Sequence, residues 1–159
     1  MRQFSCEALA KEVSRDKLYQ WYTDFSPEDV DIIRRRGDGS LLSRQVTREG
    51  NKVRMENENI IRGKSKKLVA DVILHPDNHT YDVNFEIVGM LQSTRHYTFE
   101  EIPGQGTKIR FDDRYRVLSA GMKILDVLGL FKGMYRKGSE RILKTYVAEA
   151  EERLAEKKW

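Results

Sequence analysis

Polar and apolar residues alternate from the start of the chain. Phe4, Cys6, Ala8 and Ala10 fall between Gln3, Ser5, Glu7 and Lys11, the period of a half-buried strand. Past Ser14 the period lengthens. Leu18, Trp21, Tyr22 and Phe25 space as a short helix. Ser26-Pro27-Glu28-Asp29 opens a second, with a capping serine, proline at the first helical position and acids in the first turn, and Gly37-Asp38-Gly39 ends it. From Leu41 to Leu118 the pattern is that of six strands joined by tight turns at Gly50-Asn51, Arg62 to Lys66, Asp77-Asn78, Val88 to Met90 and Pro103 to Gly106. Keeping the apolar sides together pairs Val46 with Met55, Ile61 with Leu68, Val72 with Val83, Phe85 with Ser93, and Phe99 with Ile109. Three rows then cross one concave face: Val46, Met55, Leu74, Tyr81, Tyr97, Phe111; Arg44, Asn57, Val72, Val83, Arg95, Asp113; and Leu42, Asn59, Ala70, Phe85, Ser93, Tyr115. The direction of Arg44 stays open, because the stretch from Leu41 to Thr47 alternates poorly. Arg54, Glu56, Glu58, Asp82, Arg110 and Asp112 make the other face wet.

The last quarter, from Ser119 to Trp159, predicts one long helix. Ser119 is a good N-cap, and Ile124, Leu128, Phe131, Tyr135, Ile142 and Tyr146 recur three and four apart. Gly121, Gly129, Gly133 and Gly138 interrupt the pattern, each costing roughly 1 kcal/mol against alanine, for close backbone approach or for a kink. An unbroken helix over this span would run to roughly 60 Å, longer than a globule of this size is wide. The expectation is a bend near Gly133 to Gly138, or a tail projecting beyond about Ala150.

The length of 159 residues suits one domain, residues 1–159. The net charge of +4 hides an even interleaving of 29 basic and 25 acidic residues, and no aromatic platform accompanies Arg34-Arg35-Arg36 or the lysines between 64 and 67, so no nucleic-acid partner is expected. The first residues lack the apolar core of a signal peptide and no run of 18 apolar residues occurs, which predicts a cytoplasmic protein. Cys6, the single cysteine, reads as a buried structural thiol.

The order of elements, the segment Lys17-Leu18-Tyr19-Gln20-Trp21-Tyr22-Thr23-Asp24-Phe25 after the first strand, and the closing amphipathic helix resemble the START/polyketide-cyclase superfamily (SRPBCC), whose helix-grip fold also includes the birch-pollen allergen family. The resemblance spans essentially the whole chain and is one of pattern, since that superfamily has no invariant catalytic motif. It implies an α+β helix-grip fold. A curved seven-stranded antiparallel sheet, with two short helices after strand 1, grips a long C-terminal helix around a cavity for a hydrophobic or lipid-like ligand.

Polar residues on the apolar face are the informative ones, because burying an unpaired charge is costly. Arg95 falls opposite Asp113, and Asn57, Tyr97, Tyr115 and Tyr135 share the interior with Phe85, Phe111, Leu128 and Phe131; these ten are the expected ligand-binding residues. A self-satisfied Arg95–Asp113 pair is the bland reading of the same row. No catalytic residue is assigned: Asp113 beside Arg95 makes a poor general base, the three histidines miss the cavity, and no serine or cysteine lies beside a histidine. No cofactor or metal is implied. The apolar half of the last helix, Leu125 to Phe131, with Lys132, Arg136 and Lys137 nearby, also suits transient contact with a membrane surface. Three functions follow: a carrier or sequestering protein for a small hydrophobic ligand, a cyclase or dehydratase on a polyketide-like substrate, or a partner-binding module with no ligand. The oligomeric state is left open.

Overall fold

The computed structural model describes residues 1–37 and 39–159. Asp38, in the predicted stop of the second helix, lies outside them. Seven antiparallel strands form one curved sheet in the order β1-β7-β6-β5-β4-β3-β2: β1 (Arg2–Lys11), β2 (Leu41–Glu49), β3 (Lys52–Ile61), β4 (Lys64–His75), β5 (Thr80–Ile87), β6 (Leu91–Ile102) and β7 (Gly106–Val117). After β1 come two short helices, α1 (Arg15–Tyr22) and α2 (Asp29–Arg36). The helix α2 starts later than the serine and proline suggested. Asp29 and Val30 donate backward to the carbonyls of Ser26 and Pro27, a tight turn that precedes the regular helix.

Four of the five registers stand as read: Val46 with Met55, Val72 with Val83, Phe85 with Ser93, and Phe99 with Ile109. The fifth is corrected. Ile61 pairs with Lys64, and Leu68 faces Asn57, a slip of four residues between β3 and β4. The connection is a two-residue turn with Arg62 at φ +53° and Gly63 at φ +74°, the geometry that matches the twist of a tight hairpin. Arginine in place of the usual Asn or Asp hid that turn. Because the slip is even, every side chain keeps its face, but the rows move. Arg44 and Asn57 now share a row with Leu68, Ile87, Leu91 and Val117, while Arg95 shares one with Val53, Val72, Val83, Asp113 and Phe4. A bulge between Leu41 and Ser43 turns Leu41 inward and leaves Leu42 exposed, reversing the expectation for Leu42.

The predicted single helix is two, α3 (Ala120–Val127) and α4 (Leu130–Ala155), broken at Gly129 rather than between Gly133 and Gly138. Gly129 sits at φ +76°, a left-handed conformation that a Cβ disfavours. The break resets the phase of the apolar stripe. Leu125 packs against the core and Phe131 is buried, yet six residues of unbroken helix would set them about 120° apart. Gly133 and Gly138 ride inside α4, where an added Cβ would meet nothing, so neither marks a close approach. The helix α4 runs beside β1: the Cys6 thiol approaches the Arg136 carbonyl at 3.9 Å, and the Lys11 amide donates to Glu151 at 2.7 Å. Phe131, Leu143, Val147 and Ala150 enter the core from α4, and the two largest contribute roughly 2–3 kcal/mol each by burial. The tail does not project freely. Arg153 bonds Glu28 and Glu149, and Trp159 packs edge-on against Trp21. Of the basic patches, Arg34 to Arg36 close α2, where Arg35 and Arg36 both hold the buried Glu149, and the lysines from 64 to 67 lie in β4.

Candidate functional site

Two carboxylate–arginine pairs are built into the concave face. In the first, β6 and β7 bring Arg95 opposite Asp113, and the Arg95 Nε donates to the Asp113 carboxylate. Ser93 donates to the same carboxylate at 2.8 Å and Tyr135, from α4, at 3.0 Å. The remaining Arg95 nitrogens reach Ser139 at 2.6 Å, Tyr135 at 3.1 Å and Tyr97 at 3.4 Å. The guanidinium carbon also lies 4.5 Å from the centre of the Phe111 ring and 5.1 Å from that of Phe85. Every nitrogen of Arg95 is therefore in use, and the cation lies among aromatic rings whose faces attract it. Burial pushes the Tyr135 phenol well up, so it remains a neutral donor and acceptor bridging the two charges.

The second pair joins α2 to β2. Arg44 points inward, donating to Asp29 and, through Nε, to the Asn57 Oδ1 at 3.1 Å. Asp29 also accepts from the Tyr146 hydroxyl of α4. Burial raises the Asp29 carboxyl to about 6, with Arg44 pulling it the other way and Asp24 adding to the rise. Asp29 thus titrates far nearer neutrality than an ordinary carboxyl.

Between the two pairs lies a cavity of about 190 Å³. Tyr22, Phe25, Tyr81, Phe85, Tyr97 and Tyr146 give it aromatic walls; Asp29, Arg44, Asn57, Asn59 and Arg95 are its polar groups. Tyr81 and Tyr97 stack with centroids 4.4 Å apart and planes 9° apart. The rim runs by Ser40 and Ile142, and solvent reaches Ile142, which is 39% exposed. The Asn59 Oδ1 is buried and has no hydrogen-bond partner.

Of the ten residues the sequence singled out, Asn57, Phe85, Arg95 and Tyr97 line this cavity. Phe111, Asp113 and Tyr135 stand behind it and hold Arg95. Tyr115 and Phe131 pack together toward α3, away from the cavity, and the Tyr115 hydroxyl donates to Asp126 at 3.2 Å. Leu128 is corrected: it precedes the Gly129 break and is 65% exposed. The membrane-contact stretch is likewise divided, with Leu125 and Phe131 turned to the core while Ile124, Val127, Leu128 and Leu130 stand exposed. Sequence reasoning missed Asp29, Tyr22 and Tyr146 as site residues. An acid in the first turn of a helix complements the helix dipole wherever it points, so Asp29 read as an ordinary first-turn acid. None of the histidines lines the cavity: His75 and His96 bond Asp82 on the outer face, and His79 pairs with Asp16.

No protein-family model matches the sequence, and no curated protein matches it. Solved structures match in fold. The Zhui aromatase/cyclase from Streptomyces sp. R1128 superposes with a TM-score of 0.78 over 96% of this chain and 95% of its own, at 13% identity. TTHA0849 from Thermus thermophilus gives 0.76 over 94% and 97% at 14% identity, and Ara h 8.0201 gives 0.69 over 94% and 97% at 15% identity. The chain shares the helix-grip fold of these structures, a curved seven-stranded antiparallel sheet with a long C-terminal helix against it.

Proposed function

We propose that the protein binds a small hydrophobic ligand in the cavity between the sheet and α4 and acts as its carrier or sequestering protein in the cytoplasm. One observation carries this reading: at the junction of sheet and helix an aromatic-walled space remains open, with polar groups converging on it from four elements. Asn57, Phe85, Tyr97 and the Arg95 side chain form the wall against which the ligand packs; Phe111, Asp113 and Tyr135 fix Arg95 in that wall and engage its cation internally. Among the described residues no helix is long and apolar enough to cross a membrane. Native mass spectrometry of the full chain purified from its source tests the proposal. A retained small molecule, released by Tyr81→Trp or Val83→Trp substitution into the cavity wall, supports it. A protein that arrives empty and fails to enhance the emission of an apolar fluorescent dye overturns it.

A second reading rests on Asp29. A carboxyl at about 6 inside an aromatic cavity, hydrogen-bonded to a tyrosine, is placed for general acid–base work of the cyclase or dehydratase kind. Turnover of the bound molecule, abolished in Asp29→Asn with binding intact, separates this reading from carriage.

A further inference from the structure

We infer that the ligand of this cavity is a compact, neutral molecule of one or two fused rings whose hydroxyl donates a hydrogen bond to the Asn59 Oδ1. The inference rests on the proposed binding at this site and names the chemistry it selects. Size sets the first limit. A dry cavity of about 150 Å³ holds one benzene ring, whereas drug-sized ligands occupy about 300–1,000 Å³. The 190 Å³ here encloses one or two rings, and an extended acyl chain or a polycyclic skeleton would have to project past the rim. The walls set the second. Tyr22, Phe25, Tyr81, Phe85, Tyr97 and Tyr146 line the space, so an aromatic guest finds ring partners on several sides.

Charge sets the third. Arg44 is neutralised by Asp29 and Arg95 by Asp113, and the nitrogens of Arg95 all donate within the protein. A ligand carboxylate would add a third negative charge beside two buried carboxylates and find no uncommitted cation among the lining residues. The last limit is a missing donor. Asn57 and Asn59 point the same way from β3, but the Asn57 Oδ1 already accepts from Arg44 while the Asn59 Oδ1 accepts from nothing. Among the described residues only one other buried side-chain polar atom, the Arg15 Nε, lacks a hydrogen-bond partner, and Arg15 is not part of the cavity. Buried acceptors are almost always satisfied, so an unsatisfied one on a residue that lines a ligand-sized space marks where a guest supplies the proton, the Asn59 side chain turning its Oδ1 into the cavity as the guest enters.

The test titrates the full chain at neutral pH with naphthalene, 1-naphthol and 1-naphthoate, by calorimetry, and repeats it with Asn59→Leu. The expected result is 1-naphthol bound about tenfold tighter than naphthalene, with 1-naphthoate weaker than both. Asn59→Leu, which removes no internal hydrogen bond through Oδ1, keeps the wild-type circular dichroism and melting temperature. It brings 1-naphthol down to naphthalene while naphthalene itself changes by less than about twofold. Naphthalene and 1-naphthol binding alike to the wild type, or 1-naphthol keeping its advantage in Asn59→Leu, overturns the hydroxyl assignment and leaves cavity binding standing. Tightest binding by 1-naphthoate overturns the neutral class. Failure of all three probes to bind overturns both the inference and the proposed site.

Discussion

Replacing Arg95 with methionine tests whether the cation belongs to the framework or to the ligand. Methionine refills most of the volume, so the loss is mainly electrostatic. Asp113, 1% exposed, would keep Ser93 and Tyr135 as donors but lose its only cation in this cluster, and the Phe85 and Phe111 rings would lose a charge over their faces. Stranding one member of a buried ion pair costs about 3–5 kcal/mol, a third or more of the stability of an ordinary domain. Removing the carboxylate's charge as well should return much of that, because a pair replaced by neutral groups of similar shape leaves nothing uncompensated. The measurement is urea unfolding of wild type, Arg95→Met, Asp113→Asn and the double variant, compared by midpoint at constant slope. The expected order places Arg95→Met lowest and the double variant above it. An Arg95→Met loss below about 1 kcal/mol, the scale of a surface pair, would refute the reasoning. A double variant as unstable as the sum of the singles would do so too, and Arg95 would then be held for direct use on a ligand.

The Asp29 carboxyl predicts a pH dependence. Its folded value of about 6 lies above the ordinary 3.8, so between those two values the folded state keeps a proton that the unfolded chain has released. Stability therefore falls as pH rises through that window, by about 3 kcal/mol at most, and the loss is complete above about 6. The difference between wild-type and Asp29→Asn unfolding midpoints across pH reads it; a flat difference refutes it. At the α3–α4 corner, Phe131→Asp should unfold the protein or cost more than about 4 kcal/mol, while Leu128→Asp should stay within about 0.5 kcal/mol in thermal melts. Transient membrane contact at the same corner predicts that Val127→Asp with Leu128→Asp abolishes co-sedimentation of the full chain with anionic liposomes, and no sedimentation of the parent refutes the contact.

The strands and their faces were legible in the sequence because alternation is enforced at every residue of a sheet with one buried side. Leu74, Tyr81, Tyr97 and Phe111 could point only one way. Alternation constrains parity and nothing more. A slip of two or four residues preserves every face, and only the turn decides between them. Arg62-Gly63 carries the positive φ of a two-residue turn without the asparagine or aspartate that announces one. The break at Gly129 was hidden for a related reason. Four glycines fit the helical stretch, and the one that mattered was chosen by the need to turn both Leu125 and Phe131 toward the core, a tertiary demand absent from local spacing.

The slip changes the chemistry more than the fold. In the register read from the sequence, Arg44, Asn57, Arg95 and Asp113 share one row, two cations against one carboxylate. In the structure β3 is displaced by four residues against β4, which carries Arg44 and Asn57 away from Arg95, and α2 delivers Asp29 to Arg44. The interior then holds two arginines and two carboxylates, each pair closed on itself, and the acceptor left over belongs to Asn59. A register error that keeps every residue on its correct face thus changes which charges meet: a row with a surplus arginine becomes two closed ion pairs, and the atom left unsatisfied is a carbonyl oxygen.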